Sequence, residues 1–302
     1  MIPQFPEFKN IEFSDKHEIE EFTNRFPPYS DFNFASMFSW DIKEEMQISW
    51  LNENLVVRFT DYISSKPFYS FIGVNKKYET IDVLLKFIKS KGEIQELRLV
   101  PEISILDMDN RDFLILEDRD HFDYIIPTKI FSEYDTNKTR DRRNSVKKFL
   151  NDFSPKNLQI DISNKSVKEE IYELFKKWSY DSIDPLEVQN ELLALRRFLE
   201  NDFHNRHVCT GVYINNILVG FCLTENHGNG YSTIHFCKAD KKISQGLYSY
   251  MLQINAKSLI EGGHELLNLE QDLGISNIRR WKMSHGVHIF LKKYVIRYNN
   301  LI

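Results

Sequence analysis

The residues best suited to chemistry in this 302-residue chain sit near its C-terminal end: Asn268-Leu269-Glu270-Gln271-Asp272-Leu273-Gly274, then Ile278-Arg279-Arg280-Trp281-Lys282-Met283-Ser284. Side chains two apart at the end of an extended strand share a face. Glu270 and Asp272 could therefore bind or deprotonate an ammonium acceptor together, and they are the candidate catalytic pair. Arg279 and Lys282, three apart, share a helix face and could hold a phosphate or a terminal ribose hydroxyl. A purely architectural reading stands beside this one: Asp272 caps the following helix and Arg279 pairs with Glu270.

A second cluster opens a helix. Lys241-Lys242-Ile243-Ser244-Gln245-Gly246, with Tyr248 beyond, puts two cations, a hydroxyl and a glycine at a helix N-terminus. Free backbone N–H groups there suit a phosphate or a developing oxyanion, which makes Lys242, Gln245, Gly246 and Tyr248 binding candidates. A capped helix with a solvated lysine pair is the alternative. The spacing is neither a Walker loop nor the Gln/Arg-x-x-Gly-x-Gly/Ala loop of acetyl-CoA sites, because Tyr248 fills the last small position. Upstream, Val219-Gly220 marks a middle strand open to close backbone approach. Cys237 is a nucleophile only with a base beside it, and His235, two residues back, is the local candidate; a buried thiol and a packed imidazole are the plainer reading. The nine His and three Cys form neither HxxxH nor CxxC, so no metal is expected.

Composition bounds the class. With 39 basic against 44 acidic side chains the net charge is −5, which argues against global nucleic-acid binding. No acid follows Asp272, whereas Arg279, Arg280, Lys282, Lys292, Lys293 and Arg297 do, so one end could attract an anion. The period of that tail suggests a sheet-covering strand (Val287, Ile289, Leu291) and not a membrane-surface helix. Hydrophobic residues at 42% and charged residues at 27% are ordinary globular values. Three cysteines give no disulfide framework, MIPQFPEFKNIEF shows no signal peptide, and no apolar run approaches the ~18–20 residues of a membrane span. A soluble, cytoplasmic protein without a transmembrane segment is expected, and the oligomeric state stays open.

Elements must hold these residues. In the first half, helices are predicted at 15–25, roughly 33–43 and 78–90, with a short one after Pro101, and strands near 46–50, 55–60, 68–73, 96–100 and 112–117. The second half begins with a strand near 157–162 and helices 166–181 and 187–202, the first opened by a Ser166/Glu169 capping box. Strands 207–214, 217–226 and 230–238 follow, then helix 245–261, strand 265–269, helix 275–284 and a final strand near 288–296. Helix, helix, three strands, helix, strand, helix, strand thus occurs twice. Between the halves, NKTRDRRNSVKKFLND (137–152) reads as a basic linking helix, solvated or anion-binding. The expected division is residues 1–133, a shaping or acceptor-side domain; 134–154, the linking helix; and 155–302, the candidate catalytic domain. The first half's IGVNKKYETIDVLL has two lysines but no glycine at its helix start, which is why catalysis is assigned to the second.

This order is similar to that of the GNAT acyltransferase fold. The expected fold class is therefore α+β, with two tandem GNAT-like domains, each a mixed, mainly antiparallel sheet flanked by helices. The run from Asn268 to Ser284 resembles the NxExDLG…LRxxKxS signature of the bacterial phosphatidylglycerol lysyltransferase C-terminal domain family and its soluble relatives. The resemblance covers nearly the whole chain. FPPYSDFNFASMFSW (26–40) is similar to the family's N-terminal helix pair and DRDHFDYI (118–125) to its mid-chain strand. RRNSVKKFLNDF (142–153) is similar to its arginine-asparagine linking helix, which brings Arg143 among the binding candidates.

What the resemblance implies is transfer of an aminoacyl or acyl group to an amine or hydroxyl acceptor. In the lipid-modifying members the donor is aminoacyl-tRNA and the acceptor a phosphatidylglycerol headgroup. For this chain it implies acyl-CoA or aminoacyl-tRNA as donor, no permanently bound cofactor, and a small molecule or lipid headgroup as acceptor; tRNA is a partner if the donor is aminoacylated. By position it carries over Asn268, Glu270, Asp272, Gly274, Arg279, Lys282 and Ser284. Lys238 joins them from Cys237-Lys238-Ala239, where relatives tend to have Glu-Lys-Ala. Leu252 stands where asparagine is common and His285 where tyrosine is usual, departures that bear on the substrate more than on the fold. A non-catalytic GNAT-fold protein, binding an anionic metabolite or nucleic acid through Arg140–Lys148 and the basic tail, is the alternative.

Overall fold

In the computed structural model, residues 1–61, 66–109, 112–180, 184–201, 203, 206–286 and 289–299 are described. Val287, and the last residues of the two helices predicted after residue 165 (Asp181 and Asp202), lie outside them.

The first half holds β1 (Lys9–Asn10), α1 (Lys16–Thr23), α2 (Phe34–Trp40), β2 (Gln47–Leu51), β3 (Asn54–Thr60) and β4 (Pro67–Ile72). It continues with α3 (Lys77–Ser90), β5 (Leu97–Pro101), β6 (Phe113–Glu117) and β7 (Asp123–Pro127). Then come α4 (Lys129–Glu133), α5 (Arg140–Asp152), β8 (Lys156–Ile160), α6 (Lys165–Ser179) and α7 (Pro185–Glu200). The chain ends with β9 (His207–Ile214), β10 (Ile217–Asn226), β11 (Tyr231–Ala239), α8 (Gln245–Glu261), β12 (Leu266–Asn268), α9 (Ser276–Met283), β13 (Ile289–Leu291) and β14 (Lys293–Tyr298).

Local chemistry accounts for the element ends. Asn33 caps α2 by accepting Ser36 N–H at 3.0 Å. The α3 face Ile81, Leu84, Leu85, Ile88 repeats at helical spacing and packs with Val56, Phe71, Leu97 and Val100 in the first core. The cap of α6 is Asn164, which accepts Ser166 N–H at 2.9 Å. This corrects the Ser166/Glu169 capping box: the extended backbone and the accepting oxygen sit two residues earlier.

The chain forms two compact units that do not follow sequence order. One is Met1–Asp123 with Gln271–Gly274 and Phe290–Ile302, and the other is Tyr124–Glu270 with Ile275–Ile289. The division expected from the sequence, 1–133, 134–154 and 155–302, follows chain order. The structure differs because β14 completes the first unit's sheet.

The first sheet runs β1-β2-β3-β4-β5-β14-β6, and the second, read from its matching end, β8-β9-β10-β11-β12-β7-β13. In both, antiparallel strands lead to one parallel pair, β4 with β5 and β11 with β12, after which β5–β14, β14–β6 and β12–β7 are again antiparallel. The fold is thus α+β, with two mixed, mostly antiparallel sheets flanked by helices. The sixth strand of each sheet comes from the other half of the chain. The final strand expected over 288–296 divides into β13 and β14 for this reason: the two pieces serve different sheets. Among the described residues, no helix is long and apolar enough to cross a membrane.

Candidate functional site

Strand β12 ends at Asn268, and the signature leaves it through a turn. Asn268 is fully buried and its Oδ1 accepts Glu270 N–H at 2.7 Å. That local bond diverts Glu270 N–H, while Leu269 N–H and the Glu270 carbonyl still pair with Tyr124 of β7, and Glu270 takes a left-handed φ of 58°. The alternation expected to put Glu270 and Asp272 on one face therefore does not form. Glu270 belongs to the second unit and Asp272 to the first.

In the second unit the structure brings Asn268, Glu270 and Lys282 together. Lys282 is buried in α9, and its ammonium donates to the carbonyls of Leu269 at 2.7 Å and Glu270 at 3.0 Å. The same ammonium lies 5.5 Å from the Tyr124 ring centroid. Glu270 is thus held at its backbone N–H, at its carbonyl and at its carboxylate, where Oε1 lies 3.3 Å from His235 Nδ1. The Glu270 side chain remains partly exposed, at 26%.

Asp272 is fully buried in the first unit, where it accepts Gly274 N–H at 2.8 Å and lies 3.3 Å from Arg119. Gly274 has φ +74°, and a Cβ there would meet the Asp120 carboxylate at 3.0 Å. The architectural reading in which Asp272 caps α9 is corrected as well: Ile275 precedes that helix and makes no side-chain cap bond.

The remaining candidates lie elsewhere on the second unit. Ser284 accepts from Arg142 at 2.5 Å and donates to the Trp281 carbonyl at 2.6 Å. Arg143 donates to the Tyr134 carbonyl at 3.1 Å, and Arg279 lies half-buried on α9. At the start of α8, Ser244 caps by accepting Gly246 N–H at 3.1 Å, and Gln245 is exposed. Gly246 has a packing reason: a Cβ would stand 2.2 Å from the Ser145 carbonyl of α5. Tyr248 packs edge-to-face on Trp281 at 5.7 Å. Lys238 lies 3.6 Å from the Trp178 ring centroid and 2.6 Å from Glu191. Lys241 and Lys242 sit 4.7 Å and 5.4 Å from the rings of Trp178 and Tyr180, so the three lysines line an aromatic ledge.

One group escaped the sequence reading. Glu225 at the end of β10 faces His207 of β9 directly across the ladder. His235 reaches the same carboxylate from β11, its Nε2 3.0 Å from Glu225 Oε2. The register steps from Leu223↔Phe236 to Thr224↔Ile234, which makes His235 the extra residue of a β-bulge. Burial opposes charge on Glu225, yet His227, His207 and His235 around it hold its pKa well below the usual range. Burial would likewise push His235 down, but its bonds to Glu225 and Glu270 raise it to about 9. Burial takes His227 down to about 4 against the pull of Glu225. Turn geometry does not reveal this pairing. Counting from the Asn215-Asn216 turn pairs His207 with Thr224; the bulge between Leu218 and Gly220 shifts the partner by one, to Glu225.

A family model described as "Phosphatidylglycerol lysyltransferase, C-terminal" matches residues 23–297. No curated protein matches the sequence. Among solved structures, the chain is similar to a conserved protein of unknown function from Bacteroides thetaiotaomicron, at 22% identity and TM-score 0.83, covering 99% of this chain and 100% of that one. It is similar to the C-terminal domain of a putative lysylphosphatidylglycerol synthetase from Agrobacterium fabrum, at 11% identity and TM-score 0.61, covering 95% and 92%. L-PGS from Bacillus licheniformis matches at 10% identity and TM-score 0.62, covering 100% and 95%. At these identities the likeness to the solved structures is one of fold.

Proposed function

From the premise that this chain belongs to the phosphatidylglycerol lysyltransferase C-terminal family, we propose that it moves an aminoacyl or acyl group from a carrier, aminoacyl-tRNA or acyl-CoA, to an amine or hydroxyl acceptor. The observation that carries this reading is the anchoring of Glu270. Asn268 and Lys282, both signature residues, fix its backbone, and His235 fixes one carboxylate oxygen while the side chain keeps some exposure. A carboxylate so held is preorganised to receive an acceptor ammonium and take its proton. The acceptor nitrogen or oxygen then forms a bond to the acyl carbon. The ester C–O bond to the tRNA ribose, or the thioester C–S bond, breaks, and the leaving oxygen or sulfur takes up a proton. At the start of α8, where oxyanion-stabilising donors are expected over Gln245 to Tyr248, the N–H groups of Gly246 and Leu247 already donate to Ser244 and do not serve that role. Lys238, Lys242, Arg143 and Arg279 supply positive charge suited to carrier phosphates.

A second reading, a non-catalytic protein that binds an anion, draws on Asp272 and Lys282, whose charges are engaged inside the fold. One assay separates the two. Purified protein is given labelled aminoacyl-tRNA or acyl-CoA with phosphatidylglycerol vesicles, free amines and hydroxyl compounds, and label transfer is counted. Transfer that falls about 10²-fold or more in Glu270→Gln, whose amide oxygen still accepts from His235, supports the transferase. Donor binding without turnover, weakening steeply with salt, gives the reading to the second.

A further inference from the structure

We infer that His207, Glu225 and His235 form a binding site for one divalent transition-metal ion, of the class typified by Zn²⁺. One ligand atom from each lies within 4.8 Å of the others. His207 Nε2 is 3.6 Å and His235 Nε2 3.0 Å from the same oxygen, Glu225 Oε2. An ion held at about 2.0–2.1 Å by tetrahedral ligands sets neighbouring ligand atoms about 3.3–3.4 Å apart. Two edges of the triangle are thus close to what an ion requires, and the third must close up from within 4.8 Å.

The tautomers point the same way. His207 Nδ1 bonds to the Phe203 carbonyl, which only accepts, so Nδ1 carries a proton. The other nitrogen, Nε2, is buried and has no hydrogen-bond partner, though it faces a carboxylate. A neutral ring there turns a lone pair toward an anion, an arrangement that a cation between them converts into two bonds. His235 repeats the plan: Nε2 faces Glu225 and Nδ1 faces the Glu270 carboxylate at 3.3 Å. A backbone carbonyl behind one imidazole and a carboxylate behind the other are the partners that orient metal-ligating histidines. All three ligand side chains are nearly inaccessible, at 1%, 2% and 3%. Two imidazoles and one carboxylate suit zinc or a neighbouring first-row ion better than magnesium or calcium. The site stands whether or not the transferase reading does, since it rests on the sheet alone.

The full chain tests it. Protein stripped with chelator and dialysed is titrated with ZnCl₂ by calorimetry, and with CoCl₂ by visible absorption. The expected result is one ion per chain, ligand-field bands with Co²⁺, and a Tm several degrees higher with Zn²⁺. His207→Gln loses all three, Glu270→Gln weakens binding 10–100-fold, and His264→Gln, remote from the cluster, behaves as wild type. If His207→Gln fails to fold, the Co²⁺ bands and stoichiometry of the wild-type chain decide alone. Wild type that binds no more Zn²⁺ than His207→Gln, or that gives no Co²⁺ bands, overturns the site and leaves an internal imidazolium–carboxylate network in its place.

Discussion

Lys293 places its ammonium 2.9 Å from the Asp123 carboxylate, with both side chains fully buried. Ser30 Oγ bonds to each of them, at 3.0 Å and 2.6 Å, and Asp31 approaches the same ammonium. Burial works against the charge on Lys293, but Asp123 and Asp31 outweigh it and its pKa is raised. Lys293 is the first residue of β14, so this pair fastens the C-terminal strand into the first unit.

Removing one member of a buried pair strands the other. Lys293→Met is expected to cost about 3–5 kcal/mol, because Asp123 is left without a counter-ion beside Asp31. The double variant Lys293→Met/Asp123→Leu should recover much of that loss, since the desolvated charge goes too. Urea unfolding of the two variants measures the difference. Equal losses would show that the pair is not coupled.

Much of the fold was legible because short-range signals bound its elements. Helix α8 falls on the predicted 245–261, and the turns at Asn215-Asn216 and 227–229 bracket the three meander strands. What escaped depends on distant partners or single inserted residues. The exchange of β7 and β14 is invisible locally, because each strand's pattern fits either sheet. The Asn268 side chain ends β12 early and separates Glu270 from Asp272. The bulge between Leu218 and Gly220 moves Glu225 opposite His207, a pairing that neither ligand spacing nor turn counting reveals.

The exchanged strand makes a fragment prediction. Residues 1–133 contain β5 and β6 but lack β14, which pairs with both. Expressed alone, this fragment should expose two unpaired strand edges and show no cooperative thermal transition. Hydrogen exchange would find the β5 and β6 amides unprotected in the fragment and protected in the full chain. A sharp melt from 1–133 would mean that β14 is dispensable.

Asp272 separates architecture from chemistry. Its buried carboxylate satisfies Gly274 N–H and faces Arg119, so Asp272→Ala should destabilise the chain by about 1–3 kcal/mol. Any loss of transfer activity in that variant should therefore track a lowered Tm, and lowering the assay temperature should restore part of it. Activity abolished at an unchanged Tm would give Asp272 a direct chemical role instead.

His285 provides a pH dependence. It lies buried between Phe131 and Trp281, ring centroids 4.5 Å and 4.7 Å away, and neither ring nitrogen has a hydrogen-bond partner. Burial, reinforced by Arg142, lowers its pKa from the usual 6.5 to about 3. As pH falls through that window the unfolded chain takes up a proton that the folded chain refuses, so unfolding is favoured. Stability from this residue is intact above about pH 6.5 and is lost progressively toward pH 3. His285→Phe keeps the packing and removes the proton site, so its Tm should fall less steeply with acid than that of wild type across the same window. Above pH 7 the two curves should run parallel, because neither chain then takes up a proton at this position. Identical acid slopes would mean that His285 reaches water and titrates as an exposed imidazole.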